Sequence, residues 1–219
     1  MNKFERLKEM SSSEAQEYLK KLVGEDKAKL FFEEEKKTAD ICSVKEGSFI
    51  NYAGLEWVVL EHRKKGTLIL AKHRLYNRAF DSSNHNDWEA SSLRAELNNF
   101  NAGGYCVADE RTGRIKKSDL VEFERDLLTD DGMTDYGKCK DYVSLITCEE
   151  YRKFRKLIPN ADDWWWTATA DSLVYNSFVR LVHSSGPLNS YSAYSGYGGV
   201  RPLCLLKSDT EVELCDEKA

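Results

Sequence analysis

The chain has 219 residues, 41% of them hydrophobic and 32% charged, with 13 glycines and 3 prolines, a balance that excludes disordered, collagen-like and fibrous classes and suffices for one large domain with an appendage. Its 32 basic and 37 acidic residues give a net charge of −5 without an uncompensated Lys/Arg cluster, so nucleic acid is not an expected partner. No apolar run approaches the roughly 20 residues of a membrane span, and the alternating charges of the opening decapeptide lack the apolar stretch of an export signal, so the expectation is no membrane insertion and a cytoplasmic protein as synthesised.

Residues 1–40 carry helical composition. Phe4, Leu7 and Met10 recur at helical spacing, and Ser11 with Glu14 forms a capping box that opens a second helix bearing Tyr18, Leu19, Leu22 and Val23, with Gly24 suited to its end. A third helical stretch runs through Leu30, Phe31 and Phe32 into an acidic-basic run ending at Lys37. This segment reads as a helical lid, or as an arm for docking or homo-oligomerisation. From residue 41 a second domain follows. Residues 48–52, 55–60 and 67–71 predict an antiparallel hairpin or meander turning at Gly54 and Gly66. Residues 88–100 predict a helix with Asp87 as its cap and Leu93 and Leu97 on one face. Residues 101–140 read as irregular, anchored by Ile115, Leu120 and Val121. Residues 142–146 read as a strand, and Thr147 with Glu150 as a capping box opening a helix that stops before Pro159. Residues 199–206 read as one buried closing strand that brings the ends of the sheet together.

Enzyme chemistry finds little support. There is no GxSxG elbow, P-loop or dinucleotide fingerprint. Glu149 and Glu150 sit where helix capping explains them, Asp130-Asp131-Gly132 lacks the rest of a calcium loop, and His183 has no neighbour in sequence to orient it. The six cysteines (42, 106, 139, 148, 204 and 215) form no CxxC pair, and the four histidines (62, 73, 85 and 183) are neither paired at helical spacing nor close to a cysteine; free thiols, no metal and no cofactor are expected.

Binding finds more. Residues 172–199 hold four tyrosines and seven serines, the residue types that give antibody loops rigid contact area and adaptable hydrogen bonds. The same stretch contains no Lys, Glu, Gln, Met or Trp. Those five are the amino acids that an AAC codon cannot reach when only its adenines are randomised. A polar loop of ordinary origin has the same look, and composition leaves the two readings even.

Several residue blocks carry a resemblance. Phe80-Asp81, the run from Trp88 to Asn98 (WEASSLRAELN), Asp141-Tyr142-Val143-Ser144-Leu145-Ile146 leading to Glu149-Glu150-Tyr151, Trp164-Trp165-Trp166-Thr167, and Gly199-Val200-Arg201-Pro202 together resemble a bacterial C-type-lectin-like domain over about residues 45–207. Some members of that group, similar to phage tropism determinants, are variable proteins of diversity-generating retroelements. The resemblance implies an α+β, C-type-lectin-like fold: short antiparallel strands, two flanking helices, much irregular structure and a helical N-terminal segment. It implies that residues 172–199 form a variable region binding a protein or other macromolecular ligand, and that the chain reaches its target on a phage particle or through a dedicated export system. The ligand-facing positions would be drawn from Tyr175, Asn176, Phe178, Arg180, Leu181, His183, Ser184, Ser190, Tyr191, Ser192, Tyr194, Ser195 and Tyr197. Val179, Val182, Leu188 and Ala193 would be fixed framework between them. Trp164, Trp165, Trp166, Gly199, Arg201 and Pro202 would be structural, Arg201 tying the closing strand to a carboxylate. Two alternatives stay open: a lectin-like accessory domain with a fixed tail, and a formylglycine-generating-type oxidase, for which Cys204 and Cys215 are the nearest cysteines.

Overall fold

The computed structural model describes residues 10–24 and 37–215, in two compact units, Met1–Lys37 and Thr38–Ala219. The boundary falls just before residue 40 because the strand beginning at Thr38 pairs with the last strand of the second unit.

In the first unit, α1 (Ser12–Val23) starts as the sequence expects: the Glu14 carboxylate accepts from the Ser11 amide at 3.0 Å, and Gly24 ends the helix at φ +86°. Phe4, Leu7 and the stretch containing Leu30, Phe31 and Phe32 lie outside the described residues.

The second unit mixes helices with antiparallel strands. A seven-stranded sheet is ordered β1 (Thr38–Asp40), β14 (Glu211–Leu214), β2 (Phe49–Tyr52), β3 (Leu55–Arg63), β4 (Gly66–Ala71), β13 (Leu203–Leu206), β8 (Val143–Ser144). Its central strands are apolar at consecutive positions because both faces are covered: Trp57, Val59, Ile69 and Cys204 enter one core, while Val58, Leu60, Leu68, Leu70 and Leu203 enter another. The meander β2–β3–β4 forms as the sequence expects. A five-stranded sheet is ordered β11 (Leu188–Ser192), β10 (Phe178–Val182), β9 (Trp165–Ala170), β12 (Gly199–Val200), β5 (Tyr76–Asn77). Trp165 and Trp166, adjacent on β9, alternate into the two cores.

Four expectations need correction. The helix α2 is Ser92–Leu97, shorter than residues 88–100, and its cap is Ser91, whose side chain accepts from the Arg94 amide; Asp87 instead accepts from the Glu89 amide in a tight turn. Residues 101–140 are not wholly irregular: Phe123–Asp126 (β6) pairs with Lys138–Asp141 (β7), which ends just beyond them. The helix α3 (Cys148–Phe154) has its expected capping box, but the strand before it shrinks to β8. The closing run 199–206 is two strands in two sheets, with Arg201-Pro202 making the crossing. The ends of the sheet, β1 and β8, do not meet; what meets is the start and the end of the second unit, through β14 on β1, with Ala39 opposite Val212.

Candidate ligand-binding face

Tyr175, Asn176, Phe178, His183, Tyr191, Tyr194 and Tyr197 are exposed, with Tyr197 at 78% and Tyr175 at 67% the most open of the tyrosines. Arg180, Ser184, Ser190, Ser192 and Ser195 are half-buried. Leu181 is not ligand-facing: it lies opposite Trp166 across the β9–β10 ladder and is packed in the core. Val179, Val182 and Ala193, the expected framework positions, are buried, and Leu188 packs partly against the second core.

The candidates do not form one patch. In the β10–β11 hairpin Phe178 lies opposite Ser192 and Val182 opposite Leu188, so His183 and Ser184, in the connecting turn, are a strand's length from Phe178. Tyr175, Asn176, Tyr194 and Ser195 flank the Phe178–Ser192 end. Arg180 is engaged internally, its Nη1 on Asp171 at 2.9 Å and its Nε 3.3 Å from Asp130, which also receives Arg152 at 2.7 Å. These contacts, with the Thr129 hydroxyl on Asp131 at 2.5 Å, occupy the Asp130-Asp131 carboxylates in protein bonds.

The Phe178–Ser192 end is held by residues that the sequence did not single out. Asn86 is fully buried, and its amide Nδ2 donates to the carbonyls of Ser172 at 2.9 Å, Tyr175 at 3.3 Å and Phe178 at 2.8 Å. Its main-chain N–H donates to the Asn176 carbonyl at 2.7 Å, and its Oδ1 accepts the Tyr136 hydroxyl at 2.6 Å. Burial, and then the nearby Asp87 charge, raise the Tyr136 phenol above its ordinary range, which keeps it a donor. Two residues earlier, Asn84 takes a left-handed φ of +62°; its Oδ1 accepts the Ser192 hydroxyl at 2.8 Å and the Tyr194 amide at 3.0 Å. The Asp81 amide donates to the Ala193 carbonyl at 3.1 Å. The signal for this hub was the density of Asx residues in Asp81-Ser82-Ser83-Asn84-His85-Asn86-Asp87, a composition that folds on its own backbone.

Trp165 and Trp166 are buried; Trp164, half-buried, stands edge-on to Trp166 at 4.9 Å and packs on Tyr191 at 5.6 Å. Gly198 and Gly199 are packed so closely that a Cβ would lie 1.9 Å from the Trp166 indole or 2.9 Å from the Trp164 carbonyl. Arg201 is fully buried but meets no carboxylate among the described residues. Its guanidinium donates to the carbonyls of Ala71 and Lys72, both at 2.9 Å, and lies 4.5 Å over the Trp165 ring. Burial lowers its pKa to about 9, and the Pro202 carbonyl accepts from the Ala71 amide beside it.

Cys204 is buried in β13 and burial pushes its thiol well above the ordinary range. Cys215 follows β14, four strand spacings across the sheet, or roughly 19 Å, so the two are not brought together. Among the described residues no three His, Cys, Asp or Glu side chains converge as metal ligands, and no helix is long and apolar enough to cross a membrane.

Residues 123–208 match a family described only as a domain of unknown function, DUF6273. The match starts at β6 and takes in the whole tail through β13, but not the Asn84–Asn86 hub. No curated protein and no solved structure matches the chain.

Proposed function

We propose that this chain is a ligand-binding protein in which a C-type-lectin-like scaffold displays residues 172–199 as a hypervariable Tyr- and Ser-rich surface, diversified at adenines by a retroelement, and engages a protein or other macromolecular ligand without chemistry. One observation carries the reading: Asn86 grips the exposed loop by main-chain carbonyls, at Ser172, Tyr175, Asn176 and Phe178, rather than by side chains. A frame that binds carbonyls holds the same loop whatever side chains stand at 175, 176 and 178, which is what a surface with changing residues needs. The large exposed tyrosines supply contact area at low entropic cost.

The decisive experiment is to sequence the DNA flanking the gene. A near-copy of the codons for residues 172–199, differing almost only where the copy has adenine and lying beside a reverse-transcriptase gene, is the expected result. Absence of such a copy overturns diversification. A second reading is then favoured, an accessory lectin-like domain with a fixed tail: the family match runs through residues 172–199, and Leu181 and Arg180 in that stretch are committed to the core and to internal ion pairs.

A further inference from the structure

β11 ends the five-stranded sheet, paired with β10 on one side and, among the described residues, with no strand on the other. The pairing is regular over five positions. Its phase is set by the main-chain bonds at either end, His183 N–H to the Pro187 carbonyl at 2.9 Å and Ala193 N–H to the Ser177 carbonyl at 2.8 Å. Antiparallel ladders alternate, so Asn189 and Tyr191 bond inward to β10, while the amides and carbonyls of Leu188, Ser190 and Ser192 point outward. Two of these outward groups are locally engaged: the Ser190 amide donates to its neighbour Asn189 Oδ1 at 2.8 Å, and the Ser192 carbonyl accepts from Ser195 at 2.9 Å. The Leu188 N–H and C=O, the Ser190 C=O and the Ser192 N–H bond nothing among the described residues.

Sheets ordinarily block such edges with charge, proline, a bulge or brevity. The other edges here do so: β1 has three residues including Asp40, β5 and β8 have two each, and the β6–β7 hairpin carries Glu124, Asp126, Lys138 and Lys140. β11 has five residues, no charge, no proline within it and no bulge.

We propose that the outer edge of β11 takes an extended segment of a partner protein as a sixth strand. This deepens the ligand-binding reading and rests on it. The occupant follows from what adjoins the edge. Tyr191 stands on one face of β11 and the Ser190 side chain on the other, the Ser192 hydroxyl being held by Asn84, and the strand leads directly to exposed Tyr194, so an added strand lies within the aromatic surface and meets side chains on both faces. Because β11 carries no charge, adhesion comes from main-chain bonds and selectivity from the alternate side chains. Main-chain adhesion survives changes of residue along β11, so this mode is compatible with a diversified strand.

The test pans a random-peptide display library on the full chain and synthesises an enriched peptide. Ser190→Pro replaces the outward N–H, itself held by Asn189 Oδ1, with a ring that obstructs an added strand, and leaves the inward bonds of Asn189 and Tyr191, with Ser190→Ala as its matched control. The expected result is at least about a tenfold loss of affinity for Ser190→Pro, unchanged affinity for Ser190→Ala, and slowed hydrogen exchange at Leu188, Ser190 and Ser192 on binding. Should Ser190→Pro misfold, the same peptide N-methylated at alternate residues must lose affinity on the unaltered chain. Peptides that bind through Tyr175 and Tyr194 but ignore both proline and N-methylation overturn the edge and leave the ligand-binding reading standing. Failure to enrich any peptide overturns both. A dimer of the chain alone that Ser190→Pro dissociates overturns the assignment of the edge to a foreign segment.

Discussion

Asn86 and the exposed tyrosines divide the work of the candidate face, one holding the loop and the others presenting surface, and this division is measurable one side chain at a time. Asn86→Ala removes the Nδ2 donor shared by three loop carbonyls and the acceptor of the Tyr136 hydroxyl, leaving buried polar groups unpaired. We expect a loss of about 3 kcal/mol in chemical denaturation, since each such orphan costs about 1–3 kcal/mol. Tyr175→Ser, Tyr194→Ser and Tyr197→Ser remove side chains that are 65–78% exposed and should each change stability by less than about 0.5 kcal/mol while weakening any ligand. Tyr191→Ser should fall between, at about 1 kcal/mol, because its ring packs on Trp164. Large losses from Tyr175 or Tyr194 would show them to be structural rather than displayed.

At the scale of elements, the clearest gap between sequence and structure is the β6–β7 hairpin. Its inward positions are Phe123 and Arg125 on one strand and Cys139 and Asp141 on the other, so alternation was present but charged residues occupied half of the buried face and hid it. Those charges are affordable only in pairs supplied from elsewhere in the chain: Asp141 accepts from Arg94 at 2.6 Å and from the Trp88 indole at 2.7 Å, and Arg125 forks onto Glu150 with both bonds at 2.7 Å. The capping boxes and the β2–β3–β4 meander were legible because their signals are local. The sheet change at Arg201-Pro202 and the Asn84–Asn86 hub were not, because their partners lie up to 130 positions away. The Arg125–Glu150 clamp makes a pH prediction. Burial alone would raise the Glu150 carboxyl, but the Arg125 charge and its hydrogen bonds, with the Thr147 amide, reverse this and hold it at about 2. A carboxyl whose pKa is lower in the folded than in the unfolded chain stabilises at pH above its unfolded value, and that contribution is lost as pH falls from about 4.5 toward 2. Thermal melts across that window should show the wild type losing roughly 3 kcal/mol from this group, with Glu150→Gln already destabilised at neutral pH and the difference between the two closing in acid.

For the whole molecule, the pairing of β1 with β14 ties the start of the second unit to the end of the chain, and β14 in turn pairs with β2. The second unit therefore closes on itself from Thr38 onward. A chain beginning at Thr38 should melt within a few degrees of the full chain in calorimetry. A chain ending at Ser208 lacks β14, strips β1 of its partner and removes Val212 from the core, and should be markedly less stable. α1 leaves Leu22 and Val23 exposed at its end, 45% and 36%, and we propose that the residues before Thr38 act on association rather than folding. Assembly through this arm predicts that sedimentation of the chain beginning at Thr38 gives a smaller species than the full chain, with the affinity of each single site for an enriched peptide unchanged. Equal monomeric mass for both chains would exclude homo-oligomerisation through residues 1–40. The proposed peptide edge at β11 lies wholly within the second unit, so if the arm assembles the chain, its deletion should lower avidity for a multivalent target and leave monovalent affinity as it was.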